Sequence, residues 1–98
     1  MEVSFRDAAL DRLETDARFD GGYGAAVVKA FRKRMQLIRA AEDQRAFYEL
    51  KSLHFEKLKG AREHQHSMRL NDQWRLILEL DDLGQEKLVH VVSIEDYH

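Results

Sequence analysis

The run Leu88-Val89-His90-Val91-Val92-Ser93-Ile94 has the composition of a strand, and it leads directly into Asp96-Tyr97-His98. An imidazole and a phenol thus stand at the tip of a final strand, where polar filler is usual. Histidine is the side chain whose ordinary pKa lies nearest neutrality, so it can take and give a proton at working pH. Cations that can converge on this tip are Lys57, Lys59, Arg62, Arg69 and Arg75, with His54, His64 and His66 in the same stretch. Cations with one histidine and one tyrosine suit RNA cleavage without a metal. In that reaction the ribose 2′-hydroxyl attacks the adjacent phosphate, so the substrate supplies the nucleophile. The protein must remove that proton, protonate the leaving 5′-oxygen and stabilise charge on the phosphate. Histidine can do either of the first two tasks. Arginine and lysine can do the third, arginine offering two donors at once.

Other chemistries find less support. There is no cysteine, hence no disulfide framework, thiolate nucleophile or Cys-based zinc site. The chain has no HExxH, no glycosidase-like carboxylate pair and no phosphate loop of the P-loop kind. His64-Gln65-His66, on a strand, would put two imidazoles on one face. No third ligand accompanies them, so an exposed pair is expected and neither a metal nor a cofactor is assigned.

The elements that must position these groups follow from periodicity. Val3–Phe5 is a short first strand and Asp7 can cap the helix after it. Ala9, Leu10, Leu13 and Ala17 recur at helical spacing. Asp20-Gly21-Gly22-Tyr23-Gly24 breaks this helix. A longer one runs from about Ala25 to Ala41, with Val27, Ala30, Phe31, Leu37, Ile38 and Ala41 as its apolar stripe. Residues 43–50 can add one helical turn, and residues 52–58 read as extended, ending at Gly60. Met68 and Leu70 alternate with Ser67, Arg69 and Asn71. Asn71-Asp72-Gln73 is a turn, after which Trp74, Leu76, Leu78 and Leu80 share a face opposite Arg75, Ile77 and Glu79. Asp81-Asp82-Leu83-Gly84 is a second hairpin turn, and residues 86–94 form the last strand.

This order predicts an α+β fold in which the N-terminal strand and helical hairpin pack on one face of a mostly antiparallel sheet. The other face stays free for a site. Arg69, Asn71, Arg75 and Lys59 are expected to project there, a parity that a bulge would invert.

The chain's 98 residues suffice for a single domain spanning 1–98. Its 44% hydrophobic and 35% charged content fit a soluble globular protein. No apolar run approaches the ~20 residues of a membrane span, and the N-terminus has no signal-peptide core. The net charge of -2 hides an uneven distribution: residues 28–75 hold 12 basic and 6 acidic side chains, whereas residues 76–98 hold 1 and 6. A basic middle can serve a polyanion, but ordinary solvated faces explain it as well.

Leu58-Lys59-Gly60, Arg62, the block Ser67-Met68-Arg69-Leu70-Asn71-Asp72-Gln73-Trp74-Arg75 and the ending Asp96-Tyr97-His98 resemble the HigB toxins of the RelE/ParE superfamily of type II toxin–antitoxin systems. Ser4-Phe5 and the helix pair fit too, so the resemblance covers nearly the whole chain. It implies a RelE-like fold and a cytoplasmic toxin that enters the ribosomal A site and cuts mRNA during translation. It also implies a HigA-like helix-turn-helix antitoxin as partner, with operator DNA reached only through that antitoxin. Carried over by motif, Lys59 and Arg75 hold the scissile phosphate, His98 transfers protons and Tyr97 assists or stacks. Arg62, Arg69, Asn71, Lys57 and His54 are the RNA-contacting candidates. Some members carry a histidine three residues before the lysine. Here Glu56 stands in that place and His54 lies two residues earlier, which along a strand moves the ring by about 7 Å. The aspartate usual after Leu-Lys-Gly is Ala61. Two other readings share the fold: a ParE-like toxin that inhibits gyrase by binding, and a catalytically lapsed homologue acting only as antitoxin partner or co-repressor.

Overall fold

A computed structural model describes residues 1–81 and 87–96. The first strand, β1, spans Glu2–Phe5. Asp7 then ends the extended run and caps α1, Ala8–Thr15, its Oδ1 accepting the Leu10 N–H at 3.0 Å. Such a cap is worth about 1 kcal/mol to the helix. α1 buries Leu10 and Leu13. Gly21 and Gly22 follow at positive φ (62° and 86°), a conformation a side chain would strain, and α2 runs over Ala25–Ala40.

α2 carries five basic and no acidic side chains, yet it is not a bare cationic rod. Arg32 donates to the carbonyls of Leu13, Asp16 and Phe19, satisfying groups that the end of α1 leaves open. Arg34 donates to the Arg69 carbonyl, and its burial pulls its pKa down. Arg39 forms a two-pronged pair with Glu14. Much of the basic middle seen in the sequence is therefore consumed internally.

α3, Arg45–Glu49, supplies the helical turn expected over residues 43–50. The stretch expected to be extended over residues 52–58 is not. A 3₁₀ turn occupies Lys51–Leu53, and His54 takes a left-handed conformation (φ 45°, ψ 48°) that turns the chain. Leu53 and Phe55 are both buried, so their i, i+2 spacing imitates a strand without forming one. Only Glu56–Lys57 is extended, as β2. A 3₁₀ turn at Gly60–Arg62 then leads to β3, Gln65–Arg69, followed by β4, Trp74–Leu80, and β5, Leu88–Asp96. The Asp81–Gly84 turn falls almost wholly outside the described residues.

The sheet order is β1-β5-β4-β3-β2, antiparallel throughout except for β1 beside β5. The helices cover one face, where Leu10, Leu13, Phe31 and Ile38 form one apolar cluster with Met68, Leu76, Leu78, Val89 and Val91. Burying each of the larger side chains contributes about 1.5–3 kcal/mol. α2 also buries Val28 and Met35, which the sequence stripe omits. This is the α+β architecture expected, with α3 as the added helical turn. Among the described residues no helix is long and apolar enough to cross a membrane.

Candidate active site

The open face acquires its chemistry from strand parity. On β3 and β4 the alternation holds: Ser67 pairs with Ile77, Arg69 with Arg75 and Gln65 with Glu79, all on the side away from the helices. On β5 it does not hold. Ile77 pairs with Ser93 but Leu78 with Val91, leaving Val92 as an extra residue. Strict alternation from Val89 and Val91 would send Ser93 and Glu95 into the core. The bulge instead gives the core Ile94 and delivers Glu95 to the open face opposite Arg75.

The segment before β3 completes a cleft. Leu58 and Ile77 line a cavity of about 210 Å³, with Glu56, Arg62, Ser67, Arg75, Glu95 and Asp96 around it. Ile77 is only 3% exposed although it sits on the uncovered face. The Arg75 side chain is 14% exposed, and one of its terminal nitrogens lies 3.9 Å from Glu56 Oε1. Both terminal nitrogens of Arg62 meet Glu95, at 2.8 Å each, while Arg62 Nε donates to Gln65 Oε1 at 2.9 Å. Ser93 Oγ also donates to Glu95, at 2.6 Å. The Arg62 bonds hold the Glu95 carboxyl below its ordinary pKa, partial burial opposing and Ser93 helping. The same pair raises the Arg62 guanidinium.

Ser67 is 1% exposed, and its hydroxyl has no hydrogen-bond partner among the described residues. A buried polar group of this kind costs stability unless something satisfies it. Ser67 lines the cleft, with its hydroxyl oxygen sealed behind the cleft wall. Two guanidiniums, each with a carboxylate beside it, and an unsatisfied hydroxyl together suit a phosphodiester with its flanking ribose. A larger cavity of about 480 Å³ lies between α2 and the loop that follows α1, lined in part by Arg18, Phe19, Asp20, Tyr23, Lys29 and Lys33. Its Arg32 is already spent on backbone carbonyls, and none of the family-matched residues lines it.

The sequence-based candidates separate on this frame. Arg62 and Arg75 enter the cleft. Arg69 shares the face but is tied to the turn, its Nε donating to the Asn71 carbonyl and a terminal nitrogen pairing with Asp72. Asn71 is not on the open face as expected. Its Oδ1 accepts from the N–H groups of Gln73 and Trp74, so it holds the turn. Lys57 pairs with His66 and so lies on the opposite face from Glu56, outside the cleft. Lys59 is exposed at the cap of the Gly60–Arg62 turn, in chain between the lining residues Leu58 and Arg62. His54 is exposed and does not line the cleft.

His64 and His66 do not share a face. His66 is buried with its ring stacked on Phe55, whereas His64 is exposed, 3.8 Å from Glu79. The described chain ends at Asp96, which lines the cleft and accepts from Gln73 at 3.1 Å. Tyr97 and His98 lie outside the described residues. Glu56, Ser67, Glu95 and Asp96 are the polar cleft residues to which the sequence assigned no role. Alternation had already placed Ser67 on the right face, which was the available signal.

Sequence comparison with curated proteins finds no match. Comparison of folds finds the YoeB/ParE toxin from Agrobacterium tumefaciens, 17% identical over 100% of both chains with a TM-score of 0.60. The YoeB–YefM complex from Staphylococcus aureus is 19% identical, covering 100% of this chain and 97% of that one, at a TM-score of 0.62. The toxin–antitoxin complex RelBE2 from Mycobacterium tuberculosis is 16% identical, covering 98% and 96%, at 0.54. Identities this low establish a common fold. The family is settled by the sequence itself, since residues 3–98 match the family model described as the RelE-like toxin of the type II toxin–antitoxin system HigB. The chain therefore belongs to the HigB-like, RelE-related toxins of type II toxin–antitoxin systems.

Proposed function

We propose that this toxin is a ribosome-dependent mRNA endoribonuclease that works by attack of the ribose 2′-hydroxyl. The observation that carries the reading is the cleft itself: Arg75 beside Glu56 and an unsatisfied Ser67 hydroxyl, in a wall that ends at Asp96. Arg75 holds a non-bridging phosphate oxygen and stabilises the charge that grows there. Proton removal from the 2′-hydroxyl falls to Glu56 or to His98, and protonation of the departing 5′-oxygen to His98. The new O2′–P bond replaces the P–O5′ bond, giving a 2′,3′-cyclic phosphate and a 5′-hydroxyl. Tyr97 assists or stacks on a base. Lys59 and Arg62 steer the backbone, with Arg69 on its approach.

The ribosomal A site is the proposed place of action, which makes the toxin cytoplasmic. A HigA-like antitoxin is the proposed partner, and operator DNA would be reached through it. Membership of a toxin–antitoxin family supports an antitoxin, as does the likeness to a RelBE2 chain solved in a toxin–antitoxin complex. Induced expression followed by mapping of transcript ends tests the activity. Transcripts cut inside translated codons, with DNA supercoiling unchanged, are the expected result. Intact transcripts with disturbed supercoiling would replace this reading with a ParE-like gyrase inhibitor. Neither effect would leave a lapsed homologue that serves only its antitoxin.

A further inference from the structure

Arg62 has no open fork. A guanidinium offers two edges that each present a pair of donors to a carboxylate or a phosphate. One edge of Arg62 is filled by both Glu95 oxygens, and the Nε of the other edge is bound to Gln65. Glu95 is in turn gripped by the Ser93 hydroxyl. The carboxylate thus sits where a phosphate would meet Arg62, with matching charge and geometry. Its presence there follows from the extra residue Val92, without which Glu95 would lie on the other face.

We propose that Glu95 is a competing anion built into the cleft: it occupies Arg62 in the free toxin, and RNA gains that guanidinium only by displacing it. The proposal deepens the RNA-cleaving reading and rests on the same cleft. Both partners are partly exposed, with side chains 45% and 38% accessible, so water and salt screen the pair and a stronger ligand can part it. A lone phosphate gains little from the exchange. A strand already held at Arg75 brings its next phosphate to Arg62 at high local concentration, so the exchange favours continuous RNA over small anions.

The test follows the Arg62 Nε–H signal by NMR while a 2′-O-methyl RNA trinucleotide, which cannot be cleaved, is added. Wild type should show a saturable shift. Glu95→Gln keeps the shape and a hydrogen-bonding oxygen but loses the charge, and its midpoint should fall about three- to tenfold. Asp11→Asn removes the same charge from α1, on the covered side of the sheet, and should leave the midpoint within about twofold of wild type. An unchanged or higher midpoint in Glu95→Gln would overturn the proposal and make Glu95 a support that positions Arg62. An equal fall in Asp11→Asn would overturn it too, reducing the effect to net charge. Cleavage in cells with an Arg62 signal that RNA never moves would reject this inference alone. Saturable binding at Arg62 with no cleavage in cells would reject the nuclease and keep the competing anion.

Discussion

Replacing His98 with alanine is expected to lower transcript cleavage by about 10²–10⁴-fold, the contribution typical of a positioned general acid or base. The 5′-oxygen of a ribose is a poor leaving group as an alkoxide, so its departure depends on a proton delivered as the bond breaks. Among the family-matched residues, His98 is the one whose ordinary pKa suits delivery near neutrality. The cleft adds three carboxylates, Glu56, Glu95 and Asp96, but no second imidazole among the described residues. The loss should appear in the rate with the thermal unfolding midpoint within a degree or two of wild type, which separates chemistry from folding. A variant that arrests growth and cuts transcripts at the wild-type rate would remove His98 from the mechanism.

Replacing Arg75 with alanine is expected to cost about 10²–10³-fold in cleavage rate, or roughly 2–4 kcal/mol, as loss of one preorganised donor to a developing oxyanion does. The argument is geometric. Arg75 is largely buried on β4, near Glu56, and its position is fixed by pairing with Arg69 on one side and Glu95 on the other. A group held in this way need not reorganise as charge develops. Its removal also takes from Glu56 the guanidinium 3.9 Å away and removes a packed stem, so some stability will be lost. Arg75→Lys separates the two effects. It keeps the charge and much of the stem but loses the two-donor fork, and should recover the unfolding midpoint while remaining about tenfold or more below wild type in rate. Wild-type cleavage by either variant would make this arginine structural.

The difference between what was legible and what was not comes down to where the two-residue period of a strand is interrupted. Met68 and Leu70, then Leu76, Leu78 and Leu80, alternate without a break, and they correctly placed Ser67 and Arg75 on the uncovered face. Asp7 and the paired glycines fixed the start of α1 and the passage to α2 by local chemistry that does not depend on the rest of the chain. Glu95 was hidden because the bulge at Val92 inverts β5, and Val-Val-Ser carries no mark of which residue will be the extra one.

Glu56 rather than Lys57 lines the cleft for a related reason. Leu53 and Phe55 are buried two residues apart across a left-handed His54, which resembles a strand in the sequence and shifts the parity of everything before β3. The two-residue β2 is too short to show its register alone, and the long-range pairing of Glu56 with Ser67 decides it. Asn71 was misplaced because alternation was carried two residues beyond the strand. An asparagine at the start of a turn is better spent on backbone N–H groups, as it is here. The family motif, by contrast, carried Arg62 and Arg75 into the cleft without any knowledge of register.

The reaction's dependence on the 2′-hydroxyl is the most direct point of attack. An mRNA carrying a single 2′-deoxyribose immediately 5′ of a mapped scissile phosphate would be presented to the toxin on translating ribosomes. Cleavage should stop at that bond and continue at neighbouring sites, with 2′,3′-cyclic phosphate and 5′-hydroxyl ends on every product. Continued cutting at the deoxy position, or products ending in a 5′-phosphate, would contradict the account.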